Sequence, residues 1–240
     1  MTDPDPVALG ALPDDPADAR RLVKARLVPE DRVTDDLVHR PVLPGIEAVL
    51  VFDLPDRLVP LGPRNLAALL DAAEPAADHM DDTDETGEGG GAEEALWQDA
   101  FDHVAAEALP DIDVEEFGEG VPLMLLASNS FFCATNALWI ERFLDPPPHG
   151  LLFAVPHRHV VLVHAIHDRG VGLALPNLVL LARHNYAEGE GAISPDVFWW
   201  HEGEVERIDV VETTNAEGTE LAINVPEGLA AVLTELGAGG

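Results

Sequence analysis

Four of the ten histidines in this sequence lie in one short stretch, AVPHRHVVLVHAIHD, from Ala154 to Asp168. Histidine side chains bind metal ions and transfer protons near neutral pH. A zinc site needs three or four converging ligands. One hypothesis is therefore a metal-dependent or hydrolytic enzyme. Its candidate residues are His157, His159, His164 and His103.

The pattern around these histidines also predicts a β-hairpin. The β-rich runs 150–155 and 160–166 are separated by the PHRH segment, which is typical of a strand–turn–strand unit. Because side chains alternate along a strand, His159 and His164 would point to opposite faces. A metal site would then need a third ligand from elsewhere. We favour no metal site and no cofactor, and keep His157, His159 and His103 as the weaker alternative.

Arg158 lies between two histidines at the predicted turn. The planar guanidinium group of arginine binds carboxylates well, and arginine is scarce in this acidic chain. One interpretation is that Arg158 only neutralises nearby acids. The other is that His157, Arg158 and His159 form a small cationic patch that binds an acidic ligand or a protein partner.

Other candidates for chemistry have simpler interpretations. Asp99, His103 and Glu107 follow an i, i+4, i+8 spacing on a helix predicted from about Ala92 to Leu109, which makes them either a solvated face or one edge of a metal site. Cys133 precedes an apolar run and is predicted to be a buried thiol. The HEGE segment at His201 lacks the second histidine of a zinc-protease motif. No phosphate-binding loop or serine-nucleophile motif occurs, so the sequence favours a non-enzymatic protein.

Composition limits the partners of this chain. Its 240 residues are 47% hydrophobic, enough for a buried core, and 45 acidic against 13 basic residues give a net charge of −32. Such a field repels nucleic acids and anionic membranes. The start is acidic and proline-rich and no apolar run has membrane-span length, so we expect a cytoplasmic protein. The single cysteine excludes an internal disulfide.

The acidity has two explanations that the sequence leaves open. Only Lys24 among the basic residues is a lysine. An acidic, lysine-poor surface suits a high-salt cytoplasm, where salt screens the self-repulsion. A GC-rich coding bias in a prokaryote would also replace lysine by arginine. Both readings describe the environment of the protein more than its partner.

The order of predicted elements indicates an α+β fold, with a mixed, mainly antiparallel sheet and helices packed on it. Residues 1–14 are predicted to be a disordered acidic tail, and residues 15–240 a single domain that opens with a short helix over 15–27. An acidic, glycine-rich flexible insertion is predicted at about residues 74–94. Within a second hairpin near residue 200, Phe198 and Trp199 would face opposite sides, one entering the core and the other covering a helix or forming a docking surface.

Several segments between about Ile46 and Asp209 resemble the YtpQ-like bacterial proteins of unknown function. They are GIEAVLVFDLPD, ALWQDAFDHVAAEALP, LLASNSFFCATNALWIERFL and GLLFAVPHRHVVLVHAI. The acidic segment at residues 74–94 and the terminal hairpin with Trp199 depart from that pattern. The resemblance implies no established activity. It implies that Arg158 matters more than its histidine neighbours, because the Pro-x-Arg spacing is the shared part.

Three functions therefore stand as hypotheses. The first is a non-enzymatic module that binds a protein or an acidic ligand through His157, Arg158 and His159. The second is the metal-dependent or hydrolytic enzyme that uses histidines around 157–164. The third is a structural subunit of a homo-oligomer.

Overall fold

The computed structural model describes residue 13 and residues 15–72, 88–117, 120–145, 147–215 and 218–238. The predicted tail over 1–14 lies outside the described residues except for Pro13. So do residues 74–87 of the predicted insertion. The rest of that insertion, from Glu88 onward, forms the first turns of a long helix. The predicted end of the insertion, at about residue 94, is therefore too late, because the long helix begins at Glu88 and not at about Ala92.

The described part of the chain forms two mainly antiparallel sheets with helices, which confirms the predicted α+β class. One sheet has the order β1-β3-β2, with β4 paired to β3; the other has the order β11-β10-β9-β7-β8-β6-β5. The strands of the first sheet are β1 (Val23–Pro29), β2 (His39–Leu43), β3 (Ile46–Leu54) and β4 (Arg57–Pro60). The strands of the second are β5 (Asp111–Phe117), β6 (Val121–Ala127), β7 (Leu151–His157), β8 (Val160–Ala165), β9 (Val197–His201), β10 (Glu204–Asn215) and β11 (Gly218–Asn224).

The helices connect and cover these strands. They are α1 (Pro16–Arg20), α2 (Pro63–Asp71), α3 (Glu88–Ala105), α4 (Val171–Glu188) and α5 (Glu227–Glu235). Two 3₁₀ segments, Glu30–Arg32 and Cys133–Arg142, complete the described elements. In the described residues, none of these helices combines the length and the apolar character that crossing a membrane requires.

By its internal contacts the chain divides into two compact units. The smaller unit comprises Met1–Arg26, Arg32–Arg40 and Ala48–Glu107, and the larger unit comprises Leu27–Asp31, Pro41–Glu47 and Ala108–Gly240. The whole of the seven-stranded sheet lies in the larger unit. A single domain over 15–240 stays a prediction.

In the smaller unit, Asp99, His103 and Glu107, the three residues predicted to share one face of α3, have a structural role. Each of their side chains holds one group of the segment that precedes or begins β1. The pairs are Asp99 with Arg20 Nε at 2.6 Å, His103 Nδ1 with the Val23 carbonyl oxygen at 2.8 Å, and Glu107 with Lys24 Nζ at 2.5 Å. Because each group is used by a different partner, this face is neither a metal edge nor a merely solvated surface.

The helix predicted over 15–27 is shorter in the structure. It ends at Arg20, and β1 follows from Val23. Val23, Ala25 and Leu27 are buried while the residues between them are half-buried, which is the two-residue period of a strand. Burial of these alternate side chains outweighed the helix-forming start of the segment.

In the larger unit, β9 contributes large aromatics to both faces of the sheet. Phe198 is fully buried and its ring centroid lies 5.2 Å from that of Phe153 on β7. Trp199 is buried in the cluster that also contains Leu229 of α5. One aromatic enters the core as predicted, and of the two alternatives for the other, covering a helix is the one observed, since Trp199 is buried against α5. The cluster around Trp199 also holds α4 on the sheet.

Candidate functional site

The turn between β7 and β8 lies within the PHRH segment, as the sequence predicted; it consists of Arg158 and His159, because β7 extends to His157. Its backbone is tied on both sides. The Arg158 N–H donates to the Gly191 carbonyl oxygen, and the Arg158 carbonyl oxygen accepts from the Ala134 N–H, each at 3.1 Å. The Ser128 N–H donates to the His159 carbonyl oxygen at 3.1 Å. These bonds hold the turn in one place, because moving it would break all three.

The Arg158 side chain is held by three neighbours. Its Nε–H donates to Nε2 of His159 at 2.8 Å, and its guanidinium carbon lies 4.5 Å from the centroid of the Phe131 ring. A terminal nitrogen donates to a carboxylate oxygen of Glu190 at 2.8 Å. The Arg158 side chain is 21% exposed, whereas that of Glu190 is 82% exposed. The guanidinium is therefore oriented by partly buried groups and paired with a carboxylate that lies in solvent.

His159 orients Arg158 through one tautomer. Its Nδ1 lies 3.0 and 3.1 Å from the carbonyl oxygens of Ser128 and Ser130. Carbonyl oxygens only accept, so Nδ1 carries the proton and Nε2 keeps the lone pair that the Arg158 Nε–H needs. Arg158 is therefore the charged group of the turn, and His159 is its support.

His157 lies beside His159 and has a different environment. Their ring centroids are 6.2 Å apart, and Nδ1 of His157 accepts from the His159 backbone N–H at 3.3 Å. Burial lowers the pKa of His157, and the electrostatic effects of His159 and Arg158 lower it further. His157 is therefore neutral near pH 7.

His164 lies away from the turn, in the interior of β8, with only 4% of its surface exposed. Its Nδ1 lies 2.8 Å from the carbonyl oxygen of Pro122, so this nitrogen carries the proton. Burial lowers the pKa of His164, and this outweighs the raising effects of the bond to Pro122 and of Asp168. Strand alternation correctly separated His164 from the histidines of the turn.

We expect the folded state to lose stability as the pH falls below about 6.5, because the unfolded chain takes up protons on histidine at that pH. The pKa values of His157 and His164 are lowered in the folded state, so the unfolded state binds more protons below pH 6.5 and is favoured. Urea unfolding at pH 7.5, 6.5 and 5.5 measures this change. In His164→Gln the decrease between pH 7.5 and 5.5 should be smaller than in the wild type. An equal decrease would contradict the assignment.

The metal-centre alternative has no support in the described part of the chain, where no group of three or more His, Cys, Asp or Glu side chains is placed to hold a metal ion. His157 and His159 adjoin Arg158, and His103 is bonded to Val23. Cys133 is buried as predicted, with its sulfur 3.9 Å from the Leu126 carbonyl oxygen. Ser128 and Ser130 support the turn through their carbonyl oxygens, which lie beside Nδ1 of His159.

Sequence reasoning missed two members of the site. Phe131 and Glu190 are separated from Arg158 along the chain, and no spacing in the sequence connects either residue to the turn. The one available signal was the pair Phe131–Phe132, of which only Phe132 is buried. Phe131 is 43% exposed beneath the guanidinium.

Comparisons with protein-family models, with curated proteins and with solved structures find no match to this chain. The site therefore has to be interpreted from its own geometry. The resemblance to YtpQ-like proteins stays a prediction.

Proposed function

We propose that this chain is a non-enzymatic binding protein that docks an acidic segment of another protein on its Arg158 face. The Arg158 face consists of Phe131, His157, Arg158 and His159. The observation that carries the proposal is the guanidinium group of Arg158, which is oriented from beneath but paired outward with the highly exposed Glu190. A partner carboxylate can replace that of Glu190 without disturbing the support.

The energetics favour such an exchange. An ion pair with an exposed partner contributes about 0 to 1 kcal/mol, so displacing Glu190 costs little. A charge-assisted hydrogen bond from a pre-oriented guanidinium contributes about 1.5 to 3 kcal/mol. The stacked Phe131 ring and the His159 bond restrict the Arg158 side chain before binding, which lowers the entropy lost on docking.

The charge of the whole chain makes this docking selective. A net charge of −32 repels an acidic partner at long range, while Arg158 attracts a carboxylate at contact. Salt at about 0.15 M screens charges more than about 8 Å apart and affects a close, partly buried pair much less. The affinity for an acidic segment should therefore rise as ionic strength increases from low values. A simple basic patch would show the opposite trend.

Fluorescence polarisation with a labelled acidic peptide tests the proposal. The control probe is the same peptide with its aspartate and glutamate residues replaced by asparagine and glutamine. Arg158→Ala should weaken binding about tenfold or more, the equivalent of 1.4 kcal/mol or more. Glu190→Gln should strengthen it, because the internal competitor loses its charge. The matched control is Arg183→Ala, since Arg183 also pairs with a carboxylate, that of Glu212, and is similarly exposed.

Two results would overturn the proposal. One is an equal affinity for the acidic peptide in Arg158→Ala and Arg183→Ala. The other is a wild-type protein that binds no peptide but forms a dimer in light scattering, where Arg158→Ala is a monomer. The Arg158 face would then join two copies of this chain. Unchanged unfolding midpoints in both arginine variants would establish that the comparison concerns binding alone.

A further inference from the structure

A second feature of the larger unit is a broad cleft of about 1000 Å³, which we call the His164 cleft. It lies among the start of β6, the loop after β8, the first turn of α4 and the end of α5. Its titratable lining residues are His164, His167, Asp168, Arg169 and Glu235. None of these residues belongs to the Arg158 face. The cleft therefore needs its own explanation.

His164 presents an unused hydrogen-bond acceptor to this cleft. Its Nδ1–H is donated to Pro122, so its Nε2 carries a lone pair. No side chain or backbone group in the part of the chain that the structure describes bonds to this Nε2. The residue is nevertheless 4% exposed and lines the cleft. A donor from a molecule bound in the cleft could bond to this acceptor.

The start of α4 does not make the cleft an anion site. The Gly170 N–H donates to an Asp168 carboxylate oxygen at 2.7 Å, and the Val171 N–H donates to the Asp168 carbonyl oxygen at 3.3 Å. The N–H groups of Gly172 and Leu173 are also bonded within the turn. No amide of this first turn is left for a phosphate or a carboxylate. The two carboxylates of Asp168 and Glu235 outnumber the one guanidinium of the cleft, that of Arg169, so the lining favours a cation over an anion.

We propose that the His164 cleft binds the ammonium group of a small organic amine. An ammonium group has three N–H donors and no acceptor. It therefore suits a set of acceptors formed by His164 Nε2 and the Asp168 carboxylate, with Glu235 at the end of α5 adding negative charge. The net charge of −32 concentrates cations at such a cleft. The volume suits a drug-sized molecule or a smaller one.

The non-polar part of the amine has a place as well. Leu173 of α4 and Leu236 beyond α5 line the same cleft, and Leu173 is one of the large apolar residues exposed to solvent. An amine with a short alkyl chain would cover this surface while its ammonium group contacts His164. Ammonium recognition at one end and alkyl contact at the other define the ligand class.

Nuclear magnetic resonance titration of the full chain with butylamine, butanol and butyrate tests this inference. Butylamine should shift the ¹⁵N resonance of His164 Nε2, because that atom gains a hydrogen bond. Butanol should bind more weakly, and butyrate should not bind. A resonance of His164 Nε2 that stays unchanged at saturating butylamine, or equal binding of butanol or butyrate, would overturn the proposal.

Three variants extend the test. Asp168→Asn keeps the oxygen that caps Gly170 but removes the charge, and should weaken butylamine binding about fivefold. His164→Gln should weaken it about tenfold. Glu206→Gln removes the same charge from an exposed residue outside the cleft and should change the affinity less than twofold. An equal affinity in Asp168→Asn and Glu206→Gln would contradict the proposal, whatever happens to acidic-peptide binding.

Discussion

Replacing Gly150 by alanine is expected to destabilise the larger unit by about 2 to 5 kcal/mol, the sum of a left-handed backbone and an overpacked contact. Gly150 has a φ of +75°, where side chains other than glycine are strained. A Cβ atom there would overlap the backbone carbonyl oxygen of Trp200 and lie 3.2 Å from Cα of His201. Because the obstacle is backbone of the paired strand β9, it cannot move without separating β7 from β9. Urea unfolding followed by tryptophan fluorescence measures the loss.

Gly203→Ala is the matched control for this substitution. Gly203 has a similar φ of +89°, but its added Cβ would meet no atom within 4 Å. It should therefore cost only about 1 to 2 kcal/mol, the backbone contribution. The difference between the two variants isolates the overlap with Trp200. Equal losses in the two variants would contradict the close approach of Gly150 to β9.

Phe198→Ala should have the second large effect, a loss of about 3 to 5 kcal/mol in the free energy of unfolding. Phe198 is fully buried in β9, and its ring packs on Phe153 of β7. Deleting the ring removes the contact with Phe153 and leaves a cavity on the buried face of β9 and β7, two strands that are held in place because each is paired on both sides. The same urea experiment measures the effect. If the free energy of unfolding falls with urea concentration at the same slope as in the wild type, the fold is retained.

The control for Phe198 is Phe131→Ala, which also removes one phenylalanine ring. Because Phe131 is 43% exposed, the loss of stability should be less than about 1 kcal/mol. Acidic-peptide binding should nevertheless weaken, since the guanidinium of Arg158 loses the ring that orients it. A comparable loss of stability in the two phenylalanine variants would contradict the burial assigned to Phe198.

The sequence by itself determined the local parts of this protein that depend on neighbouring residues. The hairpin of β7 and β8, the strand β6 and the helix α4 follow from apolar runs and turn residues that lie close together in the chain. The same reasoning placed His157 and His159 together and His164 on another face, because alternation along a strand is a local property.

The sequence prediction failed where contacts with distant parts of the chain outweighed a local signal. The segment from Val23 became a strand although its acidic, proline-containing start is typical of a helix. The exposed edge strand β5, DIDVEEF, was not predicted, since its acidic residues disfavour strands in isolation. Pairing with β6 provides the hydrogen bonds that its composition does not favour.

Only the tertiary structure decided what the candidate sites contain. Phe131 and Glu190 meet Arg158 because the segment after β6 and the segment after α4 both pass beside one turn. The tautomer of His159 depends on carbonyl oxygens from Ser128 and Ser130, and that of His164 on Pro122. The sequence fixes the identity of a histidine, but the atoms placed around its two nitrogens decide its charge and its role. Those atoms come from distant parts of the chain, which no local pattern brings together.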